Sequence, residues 1–119
     1  MIAIGTDIVY IPRIHNLIEE KGIEFLKKIF SDEEILYCNE NAVPSIHFSG
    51  KYAAKEAIKK ALIGKNILDF ISLKDIKILN KPNKVPYVQF SSNISLNLKI
   101  DISISHEKQY AIAFALLQK

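Results

Sequence analysis

The chain has 119 residues, 49% of them hydrophobic and 24% charged, which fits one soluble domain with a real core and excludes intrinsic disorder. Its longest apolar run, Tyr110 to Leu117, is eight residues, too short for a membrane span, and one cysteine, Cys38, excludes an intrachain disulfide or a cysteine-built metal site. The net charge of +3 hides an asymmetry: residues 1–50 carry four basic groups against eight acids, and residues 51–119 carry twelve lysines against five acids. That bias in the second part suggests a polyanionic ligand, unless the lysines simply form a solvated surface.

In chain order, Ile2, Ile4, Thr6 and Ile8 alternate with Ala3, Gly5, Asp7 and Val9, a strand pattern. The opening MIAIGTDIVY has no early positive charge and an internal acid, unlike a signal peptide, and a reducing cytoplasm suits the lone thiol. Pro12 suits the first turn of a helix carrying Ile14, Leu17 and Ile18 on one face, ended by Gly22. A short helical piece follows over Ile23–Phe30. Ser31 and Glu34 have capping-box spacing and open a helix to about Asn39. After a loop containing Pro44, Ser45 to Leu62 gives the strongest helix signal, rich in alanine, with Gly64 as its expected C-cap. Ile71 to Leu79 reads as an irregular strand, Asn80–Pro86 as a turn, and Val85–Phe90 as a short strand. Ser91–Leu98 is ambiguous between irregular chain and one or two helical turns. Ile100, Ile102 and Ile104 alternate with polar residues, a half-buried strand; His106–Gln109 is a hairpin turn; Tyr110–Leu117 is a buried strand. One strand, several helices and then mostly strands predict a single α+β domain over 1–119 with a mainly antiparallel sheet.

The four glycines form neither a GxxxxGK[ST] nor a GxGxxG motif, so the common nucleotide cradles are absent. His15, His47 and His106 fall on different elements, which argues against a histidine zinc cluster. Three features remain. Asp7 is a carboxylate inside an apolar strand; it either caps or pairs locally, or binds a cation. In the long helix, Lys51, Lys55 and Lys59 share one ridge, with Glu56 and Lys60 on the next. This is either a solvated face with a Glu–Lys pair, or a hard oxygen ligand one turn from a phosphate-binding lysine. Ser103-Ile-Ser-His106 ends a strand. Ser105 and His106 point to opposite faces there, so a Ser–His dyad is poorly placed, and a phosphate- or adenine-binding strand end or a plain turn remains.

Taken together, Gly5-Thr-Asp-Ile-Val9, Phe48-x-x-Lys51-x-Ala53-x-Lys55-Glu56-Ala57-x-x-Lys60-Ala61 and Ser103-Ile-Ser-His106-x-x-x-Tyr110-Ala111 resemble the holo-[acyl-carrier-protein] synthases, small 4′-phosphopantetheinyl transferases. The resemblance spans most of the chain. It implies transfer of 4′-phosphopantetheine from coenzyme A to a serine of apo acyl carrier protein. It implies Mg²⁺ held by Asp7 and Glu56, with Lys60 near the pyrophosphate and Asp7, Glu56 and Lys60 as the catalytic set. Lys51, Lys55, Ser105 and His106 then bind substrate, and Arg13 opens the helix that docks the carrier. Lys51 stands where the family commonly has arginine, and Glu19 and Glu20 leave carrier docking to Arg13, Lys21, Lys27 and Lys28. The expected assembly is a cytoplasmic homotrimer with shared active sites, its partners being coenzyme A and carrier protein and not nucleic acid or membrane. The competing reading is a non-catalytic α+β module that binds RNA or another polyanion through its lysines.

Overall fold

The computed structural model describes residues 1–119. Strand β1 (Ile2–Tyr10) is followed by helices α1 (Ile11–Lys21), α2 (Ile23–Ile29), α3 (Asp32–Asn39) and α4 (Pro44–Gly64). Strands β2 (Ile76–Asn80) and β3 (Pro86–Phe90) form an antiparallel hairpin. Strands β4 (Lys99–His106) and β5 (Tyr110–Gln118) join β1 in a second antiparallel sheet of order β1-β5-β4. The α+β expectation holds. No helix is long and apolar enough to cross a membrane.

The two faces of the three-stranded sheet differ in side-chain size. Toward α4 it turns Ala3, Gly5, Asp7 and Val9 from β1 and Ala111, Ala113, Ala115 and Leu117 from β5, all buried except the partly buried Asp7. Helix α4 answers with buried Ala53, Ala54, Ala57 and Ala61. Small residues on both surfaces let helix and sheet approach closely. The limit is reached at Gly5, where a Cβ would sit 1.9 Å from the Ala57 carbonyl oxygen. Bulk is supplied around this seam by Phe30, Phe48, Ile58, Leu62, Ile76 and Ile78. Phe30 and Phe48 meet with ring centroids 5.0 Å apart, in the tilted geometry aromatic pairs prefer.

The opposite face carries the large side chains. Ile4, Thr6, Ile8 and Tyr10 of β1 lie in register with Leu116, Phe114, Ile112 and Tyr110 of β5. Ile4 and Ile8 are 61% and 62% exposed, and Phe114 is 44% exposed. An apolar sheet face of this kind normally has a cover.

The capping box forms as expected: Ser31 Oγ accepts from the Glu34 amide at 3.3 Å, and the Ser31 amide donates to Glu34 Oε1 at 2.8 Å. Two local expectations are corrected, and one ambiguous segment is resolved. Gly64 does not cap α4. The helix runs through it, and Asn66 (φ 55°) takes the left-handed conformation that asparagine tolerates. The irregular strand expected from Ile71 resolves into a 3-10 turn (Leu73–Asp75) followed by β2. Ser91–Leu98 contains no helix; the chain turns at Ser91–Ile94 and crosses to β4 as irregular backbone, with Ile94, Leu96 and Leu98 resting on the core.

Candidate functional site

Two clusters of polar groups lie at opposite edges of the three-stranded sheet. The first is at the β1 edge. The alternation of β1 turns Asp7 toward α4, and Lys60 reaches across, its Nζ 2.9 Å from Asp7 Oδ1 and 3.2 Å from the Thr6 carbonyl oxygen. Glu56 stands one helical turn before Lys60, half-buried and without a hydrogen bond inside the chain. Tyr52 stands one turn earlier still on α4. Burial raises its phenol above the ordinary value, the negative charges of Glu56 and Asp7 add to the rise, and the Arg13 guanidinium opposes it. Asp7, Glu56 and Arg13 therefore all act on one ring. Of the two readings of this helix, the Glu56–Lys60 pair does not form: Lys60 pairs across elements with Asp7. That pairing leaves the Glu56 carboxylate free.

The second cluster is a cleft of about 270 Å³ at the β4 edge, between the start of α4, the β2–β3 hairpin and the end of β4. His47, Lys51, Lys84 and His106 line it together with Tyr37 and Asn80, and no carboxylate does. Burial holds His47 below the ordinary imidazole value, and the neighbouring His106, Lys51 and Lys84 lower it further. Lys51 lies 4.7 Å from the centre of the Tyr37 ring and donates to Asn80 Oδ1 and to the Ile78 carbonyl oxygen. His47 and His106 thus come from different elements, as expected, yet meet in one cleft. Four nitrogen bases with no acid among them make a site for an anion.

The structure divides the expected substrate-binding residues. His106 and Lys51 line the cleft, and Arg13 is exposed on α1. Lys55 does not face a ligand. It is completely buried, and its three N–H groups are taken by Glu34 Oε1 (2.9 Å), the Leu73 carbonyl (3.0 Å) and the Ile76 carbonyl (2.7 Å). Burial lowers its ammonium to about 8 against the pull of Glu34. The solvated lysine ridge is accordingly corrected: Lys51 and Lys55 are inside, and Lys59 lies over the Phe70 ring. Ser105 is also corrected. Strand alternation places it on the outer sheet face in register with Ile112 and Ile8, away from His106, where it lines a shallow hollow with Thr6, Ser103 and Phe114. Tyr52, His47, Asn80 and Lys84 were not singled out from the sequence. For Tyr52 and His47 the signal was available, since they precede Glu56 and Lys51 by four residues on α4 and share their faces.

No group of three or more histidine, cysteine, aspartate or glutamate side chains is gathered to hold a metal ion. Asp7 and Glu56 are the two carboxylates whose charges reach the Tyr52 ring. Cys38 is buried, and that burial pushes its thiol up to about 12, so it supplies neither ligand nor nucleophile.

Comparison with known proteins follows this geometry. The model of the 4′-phosphopantetheinyl transferase superfamily matches residues 3–115. A holo-[acyl-carrier-protein] synthase of Ehrlichia canis is 45% identical over 98% of this chain and 94% of its own length. One from Protochlamydia amoebophila is 42% identical over 97% of this chain and 96% of its own. The crystal structure of the Helicobacter pylori holo-[acyl-carrier-protein] synthase in complex with coenzyme A superimposes with a TM-score of 0.79 at 34% identity, covering 97% of this chain and 99% of that one. With sequence and fold in agreement, the chain belongs to the 4′-phosphopantetheinyl transferase superfamily, in its holo-[acyl-carrier-protein] synthase branch.

Proposed function

We propose that the chain transfers 4′-phosphopantetheine from coenzyme A to a serine of apo acyl carrier protein, the step that arms the carrier for fatty acid biosynthesis in the cytoplasm. The observation that carries this reading is the unpaired Glu56 beside the Lys60–Asp7 pair, on a chain whose second cluster is a carboxylate-free cationic cleft. A donor with a pyrophosphate at one point and a phosphorylated nucleoside at another needs both. The RNA-binding reading accounts for lysines but not for a free carboxylate at the β1 edge, and the relatives are named as synthases.

In the reaction the carrier serine oxygen gives up its proton to solvent and attacks the pantetheine-side phosphorus. The bond from that phosphorus to the bridging oxygen breaks, and adenosine 3′,5′-bisphosphate leaves with the electron pair. Asp7 and Glu56 fit Mg²⁺: hard oxygen donors, only two in number, suited to an ion that takes its other ligands from phosphates and water. When bound there, Mg²⁺ would neutralise and orient the pyrophosphate oxygens. Lys60 supplies a positive charge beside the same oxygens, half-exposed and able to swing from Asp7 to a phosphate. The cationic cleft holds the nucleotide end, with Lys51 as a point charge braced by Asn80. Arg13, exposed at the start of α1, offers the acidic carrier a contact close to the carboxylates.

The two clusters flank opposite edges of a three-stranded sheet, an arrangement that copies of the chain sharing sites would use. A head-to-tail ring that buries the apolar outer face would bring the β1 edge of one copy toward the β4 edge of the next, and such interfaces close into rings. This supports a homotrimer. Phe114→Glu, placing a charge at the centre of that face, is expected to give monomers by light scattering where the unaltered chain gives trimers. A trimeric variant would remove the sheet face from the interface.

The cleft also has a proton signature. Burial first, and then the neighbouring His106, Lys51 and Lys84, hold His47 below the ordinary imidazole value. A bound phosphate raises its affinity for a proton, so donor binding should take up protons and tighten as pH falls. Calorimetry of coenzyme A binding in buffers of different ionisation enthalpy measures that uptake, and His47→Gln should abolish it.

The reading itself is tested by product analysis. Adenosine 3′,5′-bisphosphate should appear by chromatography only when chain, coenzyme A, Mg²⁺ and apo carrier are all present. Its absence under every divalent ion would refute transfer.

A further inference from the structure

The cationic cleft exists only because the β2–β3 hairpin stands at a fixed distance from α4, since Asn80, Lys84 and Pro86 come from the hairpin and His47 and Lys51 from the helix. What sets that distance is a buried polar network outside the cleft. Glu34 on α3 is completely buried. Its Oε1 accepts from the Ser31 amide (2.8 Å), the Ser31 hydroxyl (3.1 Å) and Lys55 Nζ (2.9 Å), and its Oε2 accepts from the Ile78 amide (2.9 Å). Lys55 in turn donates to the carbonyls of Leu73 and Ile76, and Lys51 to that of Ile78. So three side chains grip the backbone of β2 and the turn before it. The register of the hairpin leaves Asn80, two residues beyond Ile78, at the cleft. Apolar packing of Ile76 and Ile78 holds the inner part of the hairpin, whereas its end at Asn80 borders two hollows, the cleft and a second one of about 190 Å³ lined by Glu34, Tyr37, Lys51 and Asn80.

We propose that Glu34 is a positioning residue for the nucleotide end of the donor site: through Lys55 and the Ile78 amide it fixes the β2–β3 hairpin against α4, and so sets the cleft that receives the phosphorylated nucleoside of coenzyme A. The inference rests on the donor reading above. A capping glutamate would suffice at a helix start if it bonded only to Ser31. The extra bonds to Lys55 and to β2 are what assign Glu34 a second task.

Glu34→Gln removes the charge that faces Lys55 and keeps the shape. The expected result, at a temperature where circular dichroism shows the native fold, is a KM for coenzyme A raised about tenfold with kcat within about threefold, since the reacting groups at the β1 edge are untouched. Amides of residues 76–90 should exchange faster in the variant. Glu33→Gln, on the same turn but paired at the surface with Lys77, should keep the KM of the unaltered chain. A lowered melting temperature with unchanged KM would make Glu34 merely structural and overturn the inference, as would a fall in kcat alone. If Glu34→Gln does not fold, Glu34→Leu with Lys55→Met replaces the buried pair by apolar side chains of similar volume, a change buried pairs often tolerate. That double variant should fold and still bind coenzyme A weakly; full affinity in it would also overturn the inference. An unaltered chain that turns over nothing sinks the donor reading itself. An active one whose Glu34→Gln variant has normal KM sinks only the positioning role.

Discussion

Glu56→Ala is expected to lower the rate of phosphopantetheine transfer at least about a hundredfold, with the fold intact, measured as initial rate at saturating coenzyme A and Mg²⁺. The size follows from what the carboxylate does and does not do in the chain. Glu56 makes no hydrogen bond and is half-buried on α4, so stability gains little from it. Its value is as one of only two carboxylates at the β1 edge. Removing it halves the negative charge available to a divalent ion and leaves the pyrophosphate beside Lys60 alone. Asp7→Ala should be as severe in rate. It differs in one respect, because it also strips Lys60 of its partner at 2.9 Å. The freed lysine then competes for phosphate without an ion to orient it, so the Asp7 variant should bind donor nearly normally while failing to react. Activity within a few-fold of normal in either variant would remove that residue from the site.

Gly5→Ala carries the largest expected effect on stability. The added Cβ would lie 1.9 Å from the Ala57 carbonyl oxygen, 2.8 Å from its carbonyl carbon and 3.2 Å from the Ala61 amide nitrogen. All three are helix backbone in the middle of the core, and no flexible side chain can move aside. Strand β1 must retreat from α4, opening the alanine seam along its length. Overpacking of this kind costs about 3 kcal/mol, at the upper end of the usual range, which in a chain of this size lowers the melting temperature by roughly 10 °C. The same retreat draws Asp7, two residues along β1, away from Lys60, so activity should fall further than the unfolded fraction explains. A melting temperature within two or three degrees of normal would mean that the seam is looser than the structure describes.

Most of the fold was legible because local signals and global packing agree. The alternation in β1 and β4, the capping box at Ser31 and the alanine periodicity of α4 each point to the element that forms. The parts that were not legible share one cause: they depend on which face of an element meets a neighbour. Lys51, Lys55 and Lys59 at four-residue spacing look like a solvated ridge until β2 and Glu34 are brought against it, after which two of the three lysines are interior. Nothing near Glu34 in the chain announces Lys55, which is 21 residues away, or Ile78, which is 44 away. The resemblance groups Ser105 with His106 at the substrate, while strand alternation, legible in the sequence, puts them on opposite faces. Asp7 was the opposite case. Its position in the alternating strand already turned it toward the same face as Gly5, and the close approach that Gly5 permits is what puts it within reach of Lys60.

The central claim is that the free carboxylate at the β1 edge and the cationic cleft serve one transfer reaction. Intact-mass spectrometry of apo acyl carrier protein after incubation with the chain, coenzyme A and Mg²⁺ tests it most directly. The account predicts a carrier heavier by one phosphopantetheine group with the unaltered chain, and unmodified carrier with Glu56→Ala. A carrier that stays unmodified with the unaltered, folded chain, or one that is modified equally by both, would contradict it.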